Sequence, residues 1–382
     1  MDTLIERQSD RAHIETLIDE FGATAILGAR QCGKTTLAQM IPSNHVFDLE
    51  NPRDLARLEQ PQLALETLTG LVVIDEIQRK PDLFPLLRFL IDQDNKRKFL
   101  ILGSASRDLI CQSSETLAGR IAYYHLGGFR LSDIPPTHLQ RLWLQGQYPR
   151  AYCAGSAERA FRWLDQYVTT FLERDIPQLG FSIPAQTLNR FWHMLSHYHG
   201  QLLNYSELAG SFGISDHTVR RYIEILSGTF MIRVLQPWHT NIGKRLTKKP
   251  KIYLRDSGLF HCLQSIRTLE TLQTHHKLGA SWEGFALETV IQALHKRDDE
   301  LYFWRTHTGN EIDLFWQAEG KHWGVEFKYA DAPKMTKAMT IAARDLNLAH
   351  LWIVYPGQTA YALSDTVSVL PLQHIKESWA YS

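Results

Sequence analysis

Gly28–Thr36 reads "GARQCGKTT". A Gly, four residues and then Gly-Lys-Thr is the spacing of a phosphate-binding P-loop. The flanks suit it: "TAILGA", which overlaps its start, predicts a strand, and "TTLAQMI", at its end, predicts the opening of an amphipathic helix. Chemistry accounts for the spacing. Glycines let successive backbone N–H groups turn inward and form an anion nest at a helix N-terminus. Gly28, Ala29, Arg30, Gln31, Cys32, Gly33 and Thr36 would wrap the phosphates of ATP. Lys34 is spaced to reach the β- and γ-phosphates, and the Thr35 hydroxyl to ligate Mg²⁺.

Around this loop the composition is ordinary. A chain of 382 residues suggests two or three domains. With 44% hydrophobic and 21% charged residues it has the balance of a soluble globular protein. No uncharged apolar run approaches the roughly 18–20 residues of a membrane helix, so no membrane association is expected. The opening "MDTLIERQSDR" has early acids and no apolar stretch of signal-peptide length, so the expected location is cytoplasmic. Cys32, Cys111, Cys153 and Cys262 are scattered, which suggests neither a disulfide framework nor a zinc site. Basic and acidic residues balance at 41 each, so any nucleic-acid binding must come from a local patch.

Residues 1–145 read as one domain. After a leading helix over residues 1–20, strands and helices alternate: "TAILGA", "HVFDLE", "LVVIDEI", "FLILGSA" and "RIAYYHLGG" are the strands, and "SRDLICQ" is one of the helices. Such alternation predicts an α/β fold with a parallel sheet covered on both faces. "LVVIDEI" ends in Asp75 and Glu76, a Walker B arrangement. Asp75 would hold Mg²⁺, directly or through water, and Glu76 would orient and polarise the attacking water.

Taken together, "GARQCGKTT", "LVVIDEIQ", "LILGSAS", "LAGR", "FLERDIPQLG" and "YLRDSGL" make the chain resemble the prokaryotic AAA+-type ATPases that carry a C-terminal domain of unknown function. The resemblance covers nearly the whole chain and implies ATP and Mg²⁺ as cofactors. Ser104 stands where such ATPases usually place an Asn beside Walker B. A Ser there can hydrogen-bond a γ-phosphate or a water, or be a plain loop residue. Arg120 of "LAGR" is, on the same resemblance, a candidate arginine finger acting across a homo-oligomer; the alternative is a local pairing with an acid such as Glu115.

Residues 146–270 read as a helical and winged-helix domain. "ERAFRWLDQYVTTFLERDI" and "TLNRFWHMLSHYHG" predict core-packing helices, and the histidines of the second, His193, His197 and His199, read as structural or solvated. In "NYSELAGSFGISDHTVRRYIEILSG" a helix from Ser206 to Phe212, a tight turn and a second helix capped by Asp216 have helix-turn-helix spacing. Arg220 and Arg221 lie on the second helix, where such motifs contact a groove. Lys244, Arg245, Lys248, Lys249 and Lys251 then cluster between two predicted strands as a basic wing. DNA is one expected partner. A winged helix used only for packing is the other reading.

Residues 271–382 predict helix, three strands, helix and a final strand, "LWIVYP", an order similar to the PD-(D/E)XK nuclease fold. Period-two alternation puts Glu326 and Lys328 on one strand face, and Asp313 can meet them across the hairpin. Glu283, on the preceding helix, matches the first acidic position. Glu283, Asp313 and Glu326 would bind Mg²⁺, and Lys328 would position the nucleophile. The alternatives are a structural salt bridge and a fold that holds DNA ends without cutting.

Overall fold

The apolar runs of the first 129 residues pair in parallel. β1 (Ala23–Gly28), β2 (His45–Asp48), β3 (Gly70–Asp75), β4 (Arg97–Ser104) and β5 (Ile121–His125) stand in the order β2-β3-β4-β1-β5. The structure is a computed structural model describing residues 4–94, 96–104, 115–239 and 246–375, with the Ser104 side chain outside that set. The helix expected over "SRDLICQ" lies outside the described residues. β1 is buried throughout and β3 from Leu71 onward, as near-continuous aliphatic strands require when both faces are covered. Phe47, Val72, Ile74, Phe84, Leu87, Phe99 and Ile101 form the core between sheet and helices. β4 runs between β1 and β3, pairing Gly28 with Ser104 and Ile74 with Ile101. The P-loop and Asp75 therefore emerge at the same carboxyl edge, where ligands of open parallel sheets bind.

The chain divides into two compact units, Met1–Phe129 with Gly228–Phe230, and Arg130–Ser227 with Met231–Ser382. The expected boundaries lay at 145/146 and 270/271. The helix Leu139–Gln145 belongs to the second unit, where the Trp143 indole donates to Ser281 Oγ at 2.9 Å and packs edge-on against Trp282. The later boundary cuts through one mixed sheet. β6 (Gln201–Leu202), β7 (Ile232–Pro237), β8 (Lys251–Leu254), β9 (Leu301–Arg305), β10 (Glu311–Ala318), β11 (Lys321–Phe327), β12 (Leu348–Tyr355), β13 (Tyr361–Ser364) and β14 (Val367–Pro371) stand in the order β13-β14-β12-β11-β10-β9-β7-β8-β6. β7 joins the two expected domains by pairing in parallel with β9 through Gln236–Tyr302 and Pro237–Phe303.

The predicted "LWIVYP" strand, β12, is not the last. β14 pairs with it in parallel, and β13 closes the edge. β13 is mostly exposed, so its sequence lacks the apolar signal of a buried strand. The helix Lys337–Asp345 is capped by Thr336 and lays Met339 and Ala342 on the core of Trp304, Ile312, Phe315, Ile353 and Val369. The helix Leu278–Leu294 is buried on nearly all sides, which its apolar sequence, broken by few polar residues, permits.

The helix-turn-helix pair is Tyr205–Phe212 and Asp216–Gly228, with Gly213 at φ 68° closing the first helix. Ser215, not Asp216, caps the second: its Oγ accepts the Thr218 N–H at 3.1 Å, while Asp216 accepts from the Ser206 hydroxyl at 2.7 Å. Leu208, Val219, Ile223 and Leu226 form its small core.

Candidate functional site

The loop after β1 has the backbone of a phosphate cradle. Gln31 and Gly33 take positive φ, 60° and 101°, and Gly33 leads into the helix Lys34–Gln39. Gly28 admits no side chain, since a Cβ there would lie 2.3 Å from the Leu126 carbonyl oxygen. Lys34 is buried, and its Nζ donates to the carbonyls of Gly28 and Ala29 at 3.0 Å each. Arg30 reaches Glu50 at 3.4 Å, Cys32 is buried, and Thr36 is exposed. A buried ammonium held only by neutral carbonyls and distant charge is ready to meet an anionic ligand.

Thr35 and Asp75 meet directly: the Thr35 hydroxyl donates to Asp75 Oδ2 at 2.7 Å. The Glu76 N–H donates to Asp75 Oδ1 at 2.8 Å, which fixes the carboxylate from the other side. Burial pushes the Asp75 carboxyl up; the Thr35 and Glu76 hydrogen bonds and Lys34 pull the other way. Glu76 sits at φ 56°, a left-handed conformation uncommon for Glu and of the kind that collects at working sites. Burial also pushes its carboxyl up, against the nearby Lys34 charge, and the Gln78 amide donates to it. A hydroxyl, a carboxylate and a lysine around one phosphate cradle are the donor set that ATP with Mg²⁺ requires.

Two supports were not read from the sequence. Arg7 is buried and donates to the carbonyls of Cys32 at 3.0 Å and Gly128 at 2.8 Å, so it braces the loop from beneath. Its only sequence signal was a charge beginning the leading helix. Asp48 pairs with Asp75 at the end of β2 and adds to the upward push on it. Two acidic strand ends, "FDLE" and "VIDE", were the available clue.

Of the remaining ATPase residues, Ser104 ends β4 opposite Gly28, and its side chain is outside the described residues. Arg120 forms a two-pronged ion pair, not with Glu115 but with Asp92, through Nε at 2.5 Å and Nη2 at 3.0 Å.

The basic residues of the second unit separate into three groups. Arg221, Lys248 and Lys249 are exposed. Arg220 is also exposed but lies over the Tyr205 ring, its Cζ 3.9 Å from the centroid. Lys244 and Arg245 lie outside the described residues. Lys251 is corrected outright: it is buried on β8 and faces carboxylates, so it cannot reach a phosphate backbone.

Two of those carboxylates, Glu283 and Asp313, are among the three expected to hold metal. Lys251 Nζ reaches Glu283 Oε1 at 3.0 Å, Asp313 Oδ1 at 3.1 Å, and Glu311. The Tyr253 hydroxyl donates to Glu283 at 2.6 Å, and the Phe327 N–H to Asp313 Oδ2 at 3.0 Å. Asp313 and Glu326 come together across β10 and β11, one step beyond the Leu314–Val325 pair. Lys328 Nζ donates to Glu326 Oε1 at 2.6 Å. Glu326 Oε2 is buried with no hydrogen-bond partner, and burial together with Asp313 pushes the carboxyl up to about 8. Among the described residues no group of three or more His, Cys, Asp or Glu has metal-holding geometry. The histidines His193 and His199 serve the backbone, pairing with the Leu263 carbonyl and the Leu254 N–H. Glu311 was missed, although its two-residue spacing from Asp313 puts both on one strand face.

Comparison with known proteins adds a family. The AAA domain family matches residues 20–134, a domain of unknown function (DUF8612) matches 136–270, and a second (DUF4143) matches 278–375. The chain is 46% identical over 376 residues to the uncharacterized protein Rv2008c of Mycobacterium tuberculosis, covering 97% of this chain and 85% of that one. The uncharacterized protein Mb2031c of Mycobacterium bovis matches to the same extent. Among solved structures, the Walker-type ATPase PABY2304 of Pyrococcus abyssi is similar with a TM-score of 0.46 and 16% identity, covering 68% of this chain and 96% of that one. No helix among the described residues is long and apolar enough to cross a membrane. With its near full-length likeness to the mycobacterial proteins, the chain belongs to their family, and residues 20–134 are its AAA-type ATPase domain.

Proposed function

We propose that this protein binds ATP with Mg²⁺ at Gly28–Thr36, hydrolyses it with Glu76 orienting the water, and carries DNA on the exposed basic residues of its second unit. One observation carries the nucleotide reading. Thr35 and Asp75, 40 residues apart, are joined by a 2.7 Å hydrogen bond at the mouth of the P-loop. Thr35 and Asp75 would hold Mg²⁺, directly or through water, and a metal held there would supply charge neutralisation for the transferring phosphoryl group. Lys34 would turn from its carbonyls to the phosphates. Glu76, its basicity raised by burial, would accept from the attacking water. The first test is phosphate release from ATP with Mg²⁺ and again with excess EDTA. Turnover is expected only in the first, and none in either would end the proposal.

The DNA role rests on the helix-turn-helix pair and on the exposure of Arg221, Lys248 and Lys249. Replacing Lys248 and Lys249 together by Ala should weaken binding to every DNA sequence. It should also flatten the salt dependence by about one logarithmic unit per lost phosphate contact. Unchanged affinity and slope, in fluorescence anisotropy across a salt series, would leave a protein partner as the better output for the ATPase.

Arg120 is the proposed contact between copies. Its Asp92 partner is exposed, so the pair can exchange for a phosphate of a neighbouring subunit at modest cost. A finger is worth roughly 10³–10⁵ in rate in related chemistry. A mixture of Arg120→Ala and Lys34→Ala proteins should therefore regain activity that neither has alone. A monomer with full activity would exclude the finger.

A further inference from the structure

We infer that Lys251 is a resident cation, standing where a divalent metal would otherwise gather Glu283, Asp313 and Glu326, so that this carboxylate centre binds no metal while Lys251 is in place. The inference is independent of the nucleotide site and of the DNA reading.

Three observations carry it. First, Lys251 is 2% exposed and touches three carboxylates: Glu283 from the helix Leu278–Leu294, and Glu311 and Asp313 from β10. A buried ammonium spanning acids from two elements supplies the positive charge that a hard cation would otherwise bring to their oxygens. Second, one carboxylate oxygen of the cluster is left over. Glu326 is 7% exposed, lies across the hairpin from Asp313, and has one oxygen, Oε2, without a hydrogen-bond partner. Buried polar atoms are almost always satisfied, so an orphaned carboxylate oxygen beside other acids marks a place where a cation fits. Third, Lys251 reaches the centre from β8, which enters the sheet from the far side of β7. The cation and the acids thus come from different parts of the chain, and β7–β9 pairing is what brings them together.

The ammonium also accounts for a missing role. Being buried, it cannot contact a scissile phosphate, and while it holds Glu283 and Asp313 those acids cannot activate water through a metal. These carboxylates would therefore support no metal-dependent cleavage.

The test is Mn²⁺ uptake by the full-length chain without nucleotide, read by electron paramagnetic resonance. Asp75→Asn is present in every sample so that the Thr35–Asp75 pair takes no part. With Lys251 in place, no uptake sensitive to Asp313→Asn is expected. Lys251→Met, which keeps length and loses charge, should gain one Mn²⁺ per chain, and adding Asp313→Asn should abolish the gain. Uptake at Asp313 in the Lys251 protein would overturn the inference, and so would a folded Lys251→Met protein that takes up none. Should Lys251→Met fail to fold, Mn²⁺ is expected to restore its circular dichroism and melting transition, and likewise for Lys251→Gln. Failure of Mn²⁺ to rescue either variant would equally overturn it.

Discussion

Lys34→Ala protein should retain no ATP on a filter or in calorimetry, and Glu76→Gln protein should retain ATP but hydrolyse it about 10²–10⁴-fold more slowly. The two outcomes differ because the residues act on different atoms. Lys34 is the buried positive charge of the cradle, and without it the phosphates meet only backbone dipoles. Glu76 lies outside the cradle, its position fixed by the left-handed backbone and by the Gln78 amide. The amide of Gln keeps the shape and loses the basic oxygen, so binding survives and proton transfer does not. Its N–H still donates to Asp75, which keeps the Thr35–Asp75 pair in place. Ordinary turnover in Glu76→Gln would remove Glu76 from the chemistry.

The largest stability effect should come from Arg233→Ala. Arg233 is buried on β7, and its guanidinium grips both oxygens of buried Glu288, at 2.5 and 2.9 Å, and Asp298 at 2.5 Å. Burial works against the charge on Arg233, but Glu288 and Asp298 outweigh it and hold the group protonated. Truncation leaves Glu288 buried with, among the described residues, only Arg255 beyond it, at 3.7 Å. Breaking a buried pair from one side costs about 3–5 kcal/mol, whereas replacing both partners by apolar groups is often neutral. Denaturant titration followed by tryptophan fluorescence should show that loss for Arg233→Ala and recover most of it in Arg233→Met, Glu288→Leu. Equal midpoints for wild type and Arg233→Ala would refute it.

The candidate nucleotide site was legible because its elements are local. Gly28 to Thr36 are consecutive, and Asp75 and Glu76 end an aliphatic strand, so spacing and burial pattern reveal them together. The helix-turn-helix elements were legible for the same reason, apart from the cap, where Ser215 and Asp216 are neighbours and both are good capping residues. Lys251 was misread because its setting is not local. Beside Lys248 and Lys249 it looks like one more wing charge, but β8 is buried along its whole length between β6 and β7, and the β7–β9 pairing brings the acids to it. Arg7 was invisible for a related reason: beyond its local ion pair with Asp10, its loop partners are carbonyl oxygens, which carry no sequence signature.

The strand pairing that crosses residue 270 bears on how such chains are assembled. Segments 136–270 and 278–375 match separate families. A separate match is not independence as a folding body. Excised alone, 278–375 would present β9 with a row of unpaired backbone groups and would leave Glu288, Glu283 and Asp313 without their cations. The segment behaves as a graft. Any chain that carries it must supply, from elsewhere along its length, one strand to close the sheet and two buried positive charges to settle the acids. Searching relatives for that donor strand, rather than for the acids, is the direct way to find which of them share this architecture.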